Sequence, residues 1–267
     1  MWNLPCEPNI GKSAFDKAQV ETLRRVVQES RPFMRKVGQS FTNSVSYFDL
    51  EKGGRPDLFA TAFETFMNSK AHEFAVSTYP EGYCFLLDYC ALRHHDPDVP
   101  ESQLKMHFDA NFLGTSAKVY NVWVTLDDVG DGAPGLTFLR PGLKFGAMHD
   151  VWRKFHDEAV ATRGPDAPIN LMFDAERLLR HYRQPADEVF MTPRVKAGEF
   201  IAFHQLVAHA TETVTGTPKP RSSIEFRISS VAAVPNPCRT RGSKVAVCRT
   251  DEDGKRFIEV VGVDELG

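Results

Sequence analysis

Lys105-Met106-His107-Phe108-Asp109-Ala110-Asn111-Phe112-Leu113-Gly114 alternates polar and apolar side chains in the manner of a β-strand. On a strand, side chains two apart share a face. His107 and Asp109 then project together and Phe108 projects the other way. An imidazole and a carboxylate on one face make two thirds of a facial metal site. Two His and one carboxylate with open positions suit non-haem Fe(II). The missing ligand is a histidine from another strand.

Downstream, Gly198-Glu199-Phe200-Ile201-Ala202-Phe203-His204-Gln205-Leu206-Val207-Ala208-His209 reads as a Gly-led apolar strand, a short turn and a histidine. Thr217-Pro218-Lys219-Pro220-Arg221 follows, then the strand Ser222 to Ile228. A histidine there closes a metal triad. Arg221 offers a planar fork of donors that clamps a carboxylate. Arg221, Ser223, Glu225 and Arg227 alternate onto one face of that strand.

Between these segments lies the strand Lys118 to Leu126. Asn121, Trp123 and Thr125 share one face, and Tyr120, Val122, Val124 and Leu126 the other. The apolar set belongs to a core between sheets or beneath helices. The polar set suits a barrel interior that holds a polar ligand, or it faces solvent. Asp127 to Gly135 is a polar turn, because it lacks the spaced ligands and closing Glu of a calcium loop.

His-x-Asp, the strand Tyr120 to Asp128, Ala133-Pro134-Gly135-Leu136, the Phe203-to-His209 segment and Arg221 occur in an order that resembles the phytanoyl-CoA dioxygenase-like family. The resemblance runs from about Tyr83 to about Val234. It implies an Fe(II)- and 2-oxoglutarate-dependent oxygenase, mainly β with helices (α+β), on a double-stranded β-helix (jelly-roll) core. It implies that His107, Asp109 and His209 hold Fe(II), since the second histidine after the Phe-His strand is the family's ligand; His204 then supports the hairpin. It places the 2-oxoglutarate arginine at Arg221, with Asn121 and Thr125 as weaker candidates for the cosubstrate. Arg227 is left to hold a substrate anion or to pair with Glu225, and Trp123 is a candidate substrate contact. The implied chemistry consumes O2 and 2-oxoglutarate and releases succinate and CO2. Related halogenases lack the carboxylate ligand, so Asp109 points to hydroxylation of a small-molecule metabolite, although desaturation and ring formation use the same triad. The rival reading is a cupin-like metal-dependent isomerase or lyase that does not use 2-oxoglutarate.

The chain has 267 residues and a net charge of −3, with charges of both signs mixed throughout. That argues against nucleic acid or a membrane surface as partner. Five cysteines without a Cys-x-x-Cys read as reduced thiols, including Cys6, Cys84 and Cys90, of a cytoplasmic protein. No secretory leader or membrane-length apolar run is visible.

One domain is expected over 1–267. A mainly helical part covers 1–82, the jelly-roll core 83–234 with a helical insertion at about 146–183, and an extension 235–267. Ser13 or Asp16 caps a helix running to about Ser30, and a second starts at Asp57 with Phe59, Phe63, Phe66 and Met67 as a core-packing stripe. Phe85 to Arg93 reads as one strand, His94 to Pro100 as a loop, Leu136 to Leu139 and Val189 to Val195 as strands. The insertion is expected to cover the mouth of the site; His149, His156 and His181 within it read as surface or packing residues. Lys244 to Arg249 and Arg256 to Val261 form an added hairpin.

Overall fold

The computed structural model describes residues 8–36, 42–99, 103–140, 143, 145–164, 169, 171–213, 218–239 and 243–266, without the side chains of 145–149. Cys6 and His149 thus fall outside the described side chains. The elements in order are β1 (Asn9–Gly11), α1 (Lys17–Ser30), β2 (Ser44–Ser46), α2 (Tyr47–Lys52), α3 (Asp57–Met67), α4 (Lys70–Thr78), β3 (Tyr83–Leu86), β4 (Ala91–His95), α5 (Ala110–Leu113) and β5 (Val119–Thr125). They continue with β6 (Leu136–Leu139), α6 (Phe145–Arg163), α7 (Ala175–Tyr182), α8 (Ala186–Val189), β7 (Phe190–Met191), β8 (Phe200–His204), β9 (His209–Thr211), β10 (Arg221–Ser230), β11 (Lys244–Thr250) and β12 (Arg256–Gly262).

A large antiparallel sheet runs β1-β8-β5-β10-β3-β11-β12, with β4 also on β10 and β2 on β4. The long β10 makes this branching possible. Its Arg221–Glu225 half pairs β4, its Ile228–Ser230 end pairs β3, and its other edge pairs β5 from Ser223 to Ser229. A smaller sheet, β7-β6-β9, lies opposite.

Period-two alternation then assigns every side chain to a layer. Val122, Val124, Phe200, Ala202, Ile224, Phe226 and Ile228 face the N-terminal helices and share one core with Leu23, Val27, Phe59, Phe63 and Phe66. Phe63 stacks on Phe85 at 4.3 Å, and Phe66 meets Phe226 at 4.8 Å, so the aromatic stripe of α3 is core packing. On the other face Trp123, Ile201 and Phe203 pack with Leu136 and Phe138 of the small sheet. This mixed α+β arrangement, with two sheets enclosing a common interior, is the jelly-roll core.

Local chemistry sets the ends of the elements. Asp16 caps α1, accepting from the Gln19 amide at 2.8 Å while Gln19 accepts from the Asp16 amide at 2.9 Å. Gly198 precedes β8 with φ +83°, a left-handed conformation that the close approach of Phe15 also demands.

Some expectations are corrected. The run Phe85 to Arg93 is two strands, because Leu87 to Cys90 turns while staying mostly apolar, with Cys90 N–H bonded to the Leu86 carbonyl at 3.0 Å. β4 extends through His95, where a loop was expected. The strand expected over Val189–Val195 is only Phe190–Met191. The segment Phe33 to Leu50 contains β2 and most of α2, whose N-terminus Ser46 caps. The expected hairpin forms as β11–β12 and joins the large sheet through β3. Cys84, Cys90, Cys238 and Cys248 are free. No described helix is long and apolar enough to cross a membrane.

Candidate metal centre

The ligand segment is not the strand its alternation suggested. Only Met106 and His107 make β-bridges, to Phe173 and His209. Asp109 then adopts helical angles, φ −63° and ψ −24°, and starts α5. Leu113 N–H bonds the Asp109 carbonyl at 3.0 Å, and Gly114 ends the turn at φ +64°. The same polar–apolar order fits a helical turn that buries Ala110 and Leu113. Folding Asp109 out of the strand direction brings its carboxylate beside His107 all the same.

His107 and His209 lie opposite each other as a hydrogen-bonded pair. Each donates its main-chain N–H to the other's carbonyl, at 2.9 and 3.0 Å. Two residues distant in sequence are thereby held in register by backbone alone. The Nδ1 of His107 lies 2.7 Å from the Lys105 carbonyl and that of His209 3.0 Å from the Val207 carbonyl. Each Nδ1–H donates there, which leaves each Nε2 a lone pair. The two Nε2 atoms stand 3.8 and 3.7 Å from Asp109 Oδ1. One ligand atom from each residue fits within 4.8 Å of the others, the only such buried group among the described residues.

Electrostatics suit a cation. Burial, reinforced by His209, lowers His107 to about 4, and burial lowers His209 as well. Both rings are neutral and able to ligate near pH 7. Burial alone would raise the Asp109 carboxyl, but the Arg227 guanidinium outweighs it and is the main cause holding the group well below the usual carboxylate range. Two neutral imidazoles and a carboxylate on one side, with open positions opposite, form the donor set of a two-His, one-carboxylate metal site.

His204 is on the other side of β8. Its parity follows Phe200 and Ala202 toward the helices, and its Nδ1 accepts the Leu206 amide at 3.2 Å. It therefore closes the β8–β9 turn, and His209 is the histidine that meets His107 and Asp109.

His107 and His209 open into a small pocket lined also by Asn121, Trp123, Arg221, Glu225 and Arg227, with Arg93, His94 and His95 among the other lining residues. Arg221 is buried, and its guanidinium stands 5.0 Å over the Trp123 ring. Nη1 donates to the Pro134 and Gly135 carbonyls at 2.5 and 3.2 Å, while Nε has no partner. Burial and Arg93 lower this guanidinium to about 10. A buried cation with an unused donor, facing a cavity beside a metal triad, is a ready acceptor for a carboxylate. Asn121 also lines the cavity; Nδ2 donates to Asp109 Oδ2 at 3.3 Å and Oδ1 has no partner.

Thr125 shares the buried face but does not line the cavity, and its hydroxyl donates to the Asp127 carbonyl at 2.6 Å. Arg227 is more engaged than its sequence position suggested. Nε and Nη2 donate to Asp109 Oδ2 and Oδ1 at 3.0 and 3.2 Å, and Nη1 pairs with Glu225 at 2.8 Å and with the Tyr89 carbonyl. The alternation of β10 put Arg227 on the interior face; nothing in the sequence paired it with Asp109, 118 residues away.

No described residue of the insertion lines this cavity. The insertion packs behind the ligands instead, where Trp152, Ile169 and Leu178 share a core with Met106, Phe108 and Ala208. Asn111 ties the two together, accepting from Trp152 Nε1 at 3.0 Å and donating to the Leu171 carbonyl at 2.8 Å. Phe173 to Ala175 and Leu179 also wall a second groove, which shares Leu104, Ala210 and Thr211 with the metal cavity. His156 stacks on Trp152 and His181 lies against Tyr182.

Solved structures share this architecture. The carbocyclase SnoK of nogalamycin biosynthesis, a non-haem α-ketoglutarate-dependent enzyme, matches with a TM-score of 0.55 at 14% identity, over 88% of this chain and 84% of its own. The epimerase SnoN, solved with Fe3+, α-ketoglutarate and nogalamycin RO, gives 0.55 at 14% identity, covering 85% and 80%. EctD from S. alaskensis with bound Fe gives 0.54 at 13% identity, covering 85% and 73%. No family model and no curated protein matches the sequence. At these identities the likeness is one of fold.

Proposed function

We propose that the protein is an Fe(II)- and 2-oxoglutarate-dependent oxygenase, of the phytanoyl-CoA dioxygenase-like kind that its motif order resembles, acting on a small molecule. The observation that carries this reading is that the two histidines of a buried His-Asp-His triad line one pocket with a buried arginine whose Nε is unused. The triad alone would also suit a metal-dependent isomerase; the buried arginine is what favours a cosubstrate with a distal carboxylate. The solved relatives of the same fold support the cofactor choice, since SnoN was crystallised with iron and α-ketoglutarate.

His107, Asp109 and His209 would hold the metal through two Nε2 atoms and Oδ1. With 2-oxoglutarate bound, that iron supplies an oxidant made from O2, coupled to decarboxylation of the cosubstrate. Arg221 would take the distal carboxylate of 2-oxoglutarate, its fork fixing one orientation. Trp123 stacks on that guanidinium and restrains it. Asn121 lines the same pocket, with Nδ2 on Asp109 and Oδ1 free of any partner. Thr125 has no part in this arrangement.

We assign hydroxylation as the outcome: substrate C–H, 2-oxoglutarate and O2 give substrate C–OH, succinate and CO2. Asp109 supports it, because a carboxylate ligand leaves no place for halide. SnoN and SnoK show that epimerisation and carbocyclisation occur on this fold, so product analysis decides the reaction type. The test of the class itself is succinate release with matching O2 uptake in protein given Fe(II) and 2-oxoglutarate, slow without a primary substrate and abolished in His107→Ala. Succinate formation that ignores Fe(II), or its absence under every substrate screened, would count against the proposal.

A further inference from the structure

We infer that Arg227 is a positioning residue of the metal centre: it fixes the Asp109 carboxylate so that Oδ1 alone faces the two histidines. This inference rests on the metal reading above and extends it to a side chain that touches no ligand of its own.

A carboxylate at a metal site can turn about its Cβ–Cγ bond, exchange its two oxygens, or chelate through both. Here both oxygens are already engaged from behind. Arg227 Nε and Asn121 Nδ2 hold Oδ2 at 3.0 and 3.3 Å, and Arg227 Nη2 holds Oδ1 at 3.2 Å. Oδ1 is also the oxygen 3.7–3.8 Å from the two imidazole nitrogens. Oδ1 therefore keeps a lone pair for the metal, and Oδ2 is occupied. The site is held to one oxygen from Asp109, which leaves the remaining positions open for other ligands.

The guanidinium is itself clamped. Glu225 binds Nη1 at 2.8 Å, the Tyr89 carbonyl accepts from Nη1, and the Phe112 ring lies 5.2 Å from its centre. Glu225 in turn pairs with Arg93, at the cavity wall. Arg227 N–H donates to the Cys90 sulfur at 3.4 Å, which fixes the backbone from which the side chain extends. The chain Asp109–Arg227–Glu225–Arg93 is buried through its first three members. A planar fork gripped at both ends transmits orientation; a lysine in its place would supply charge at one point only.

The test uses Co(II), whose visible bands report both binding and ligand geometry. Wild-type protein, Arg227→Lys and the double variant Arg227→Gln/Glu225→Gln are stripped of metal and titrated, with circular dichroism confirming that each is folded. The double variant removes Arg227 and Glu225 together, which leaves Asp109 without its cation and Arg93 without Glu225. Loss of a group that orients a metal ligand typically costs about 10–100-fold in affinity. Arg227→Lys is expected to weaken Co(II) binding at the lower end of that range and to change the band pattern, and the double variant to weaken it further. The wild-type affinity and spectrum in a folded Arg227→Lys or folded double variant would overturn the inference. So would a loss of binding that merely tracks the unfolded fraction. Failure of the wild-type protein to bind Co(II) would instead remove the metal reading on which the inference stands.

Discussion

Arg221 and Arg227 lie on the same face of β10, and both are buried, yet their removal should have opposite consequences. Arg227 pairs with Asp109 and Glu225, so Arg227→Met leaves the buried Asp109 carboxylate without a cation, while Glu225 keeps Arg93. Breaking a buried ion pair from one side costs about 3–5 kcal/mol. Arg221 has no carboxylate within pairing distance among the described residues and donates only to the Pro134 and Gly135 carbonyls. Its buried charge is disfavoured, as the fall from 12.5 to about 10 indicates. That difference corresponds to roughly 3 kcal/mol of unfavourable burial. Arg221→Met relieves it, but leaves the Pro134 carbonyl short of a donor at about 1–3 kcal/mol, while the Gly135 carbonyl keeps the Glu212 N–H. The two effects largely cancel. Arg221→Met is expected to unfold within ~1 kcal/mol of wild type while its affinity for 2-oxoglutarate falls by about 100-fold or more, the loss of two charge-assisted hydrogen bonds. The assays are urea unfolding of metal-free protein and titration of the iron-loaded protein with 2-oxoglutarate under anaerobic conditions. An Arg221→Met protein destabilised by more than 3 kcal/mol, or one that binds 2-oxoglutarate like wild type, would refute the assignment of Arg221 as an anion site held ready at the expense of stability.

Acid should destabilise the metal-free protein through its buried histidines, against a smaller opposing gain from Asp88, whose carboxyl burial raises to about 6. His107 and His204 stay neutral in the fold down to about 4, whereas in the unfolded chain they take up protons near 6.5. Stability is then full above about pH 6.5 and falls on acidification, by up to about 1.4 kcal/mol per pH unit for each histidine; urea midpoints that stay flat or rise from pH 7 to 5 would contradict this. Gly198→Ala should cost about 2 kcal/mol or more, read as a lower melting temperature, because its Cβ would lie 2.9 Å from the Phe15 carbonyl at φ +83°. Asn111→Ala strips the partners from Trp152 Nε1 and the Leu171 carbonyl, with an expected loss of about 2–4 kcal/mol and earlier proteolytic cutting within α6 and α7; unchanged cutting would show that the insertion is not anchored through Asn111.

The sequence was most informative where one local rule acted alone. Of the two candidate caps Ser13 and Asp16, Asp16 is the one that starts α1, and the alternation on β5 and β10 separated the helix-facing residues from the interior ones correctly. It was misleading where two rules gave the same pattern. Met106 to Leu113 alternates like a strand, but the apolar positions also suit a single helical turn, and the chain chose the turn at Asp109. Leu87 to Cys90 turns without a glycine or proline, because burial and the Leu86 carbonyl hold the bend. Arg227 illustrates a third limit. Its face and its pairing with Glu225 were legible, but its bond to Asp109 was not, since Asp109 reaches it only after the jelly roll closes. The triad survived the local error at Asp109 because the His107–His209 backbone pairing, rather than strand parity, brings the three side chains together.

The most direct measurement is anaerobic addition of Fe(II) and then 2-oxoglutarate to the metal-free protein, followed in the visible range. The weak charge-transfer band of an iron-bound 2-oxoacid should appear in wild type and in His204→Ala, and be absent in His209→Ala. Fe(II) binding without the band would contradict the cosubstrate assignment and favour a metal-dependent enzyme of another class; no binding at all, or a band retained in His209→Ala, would contradict the triad.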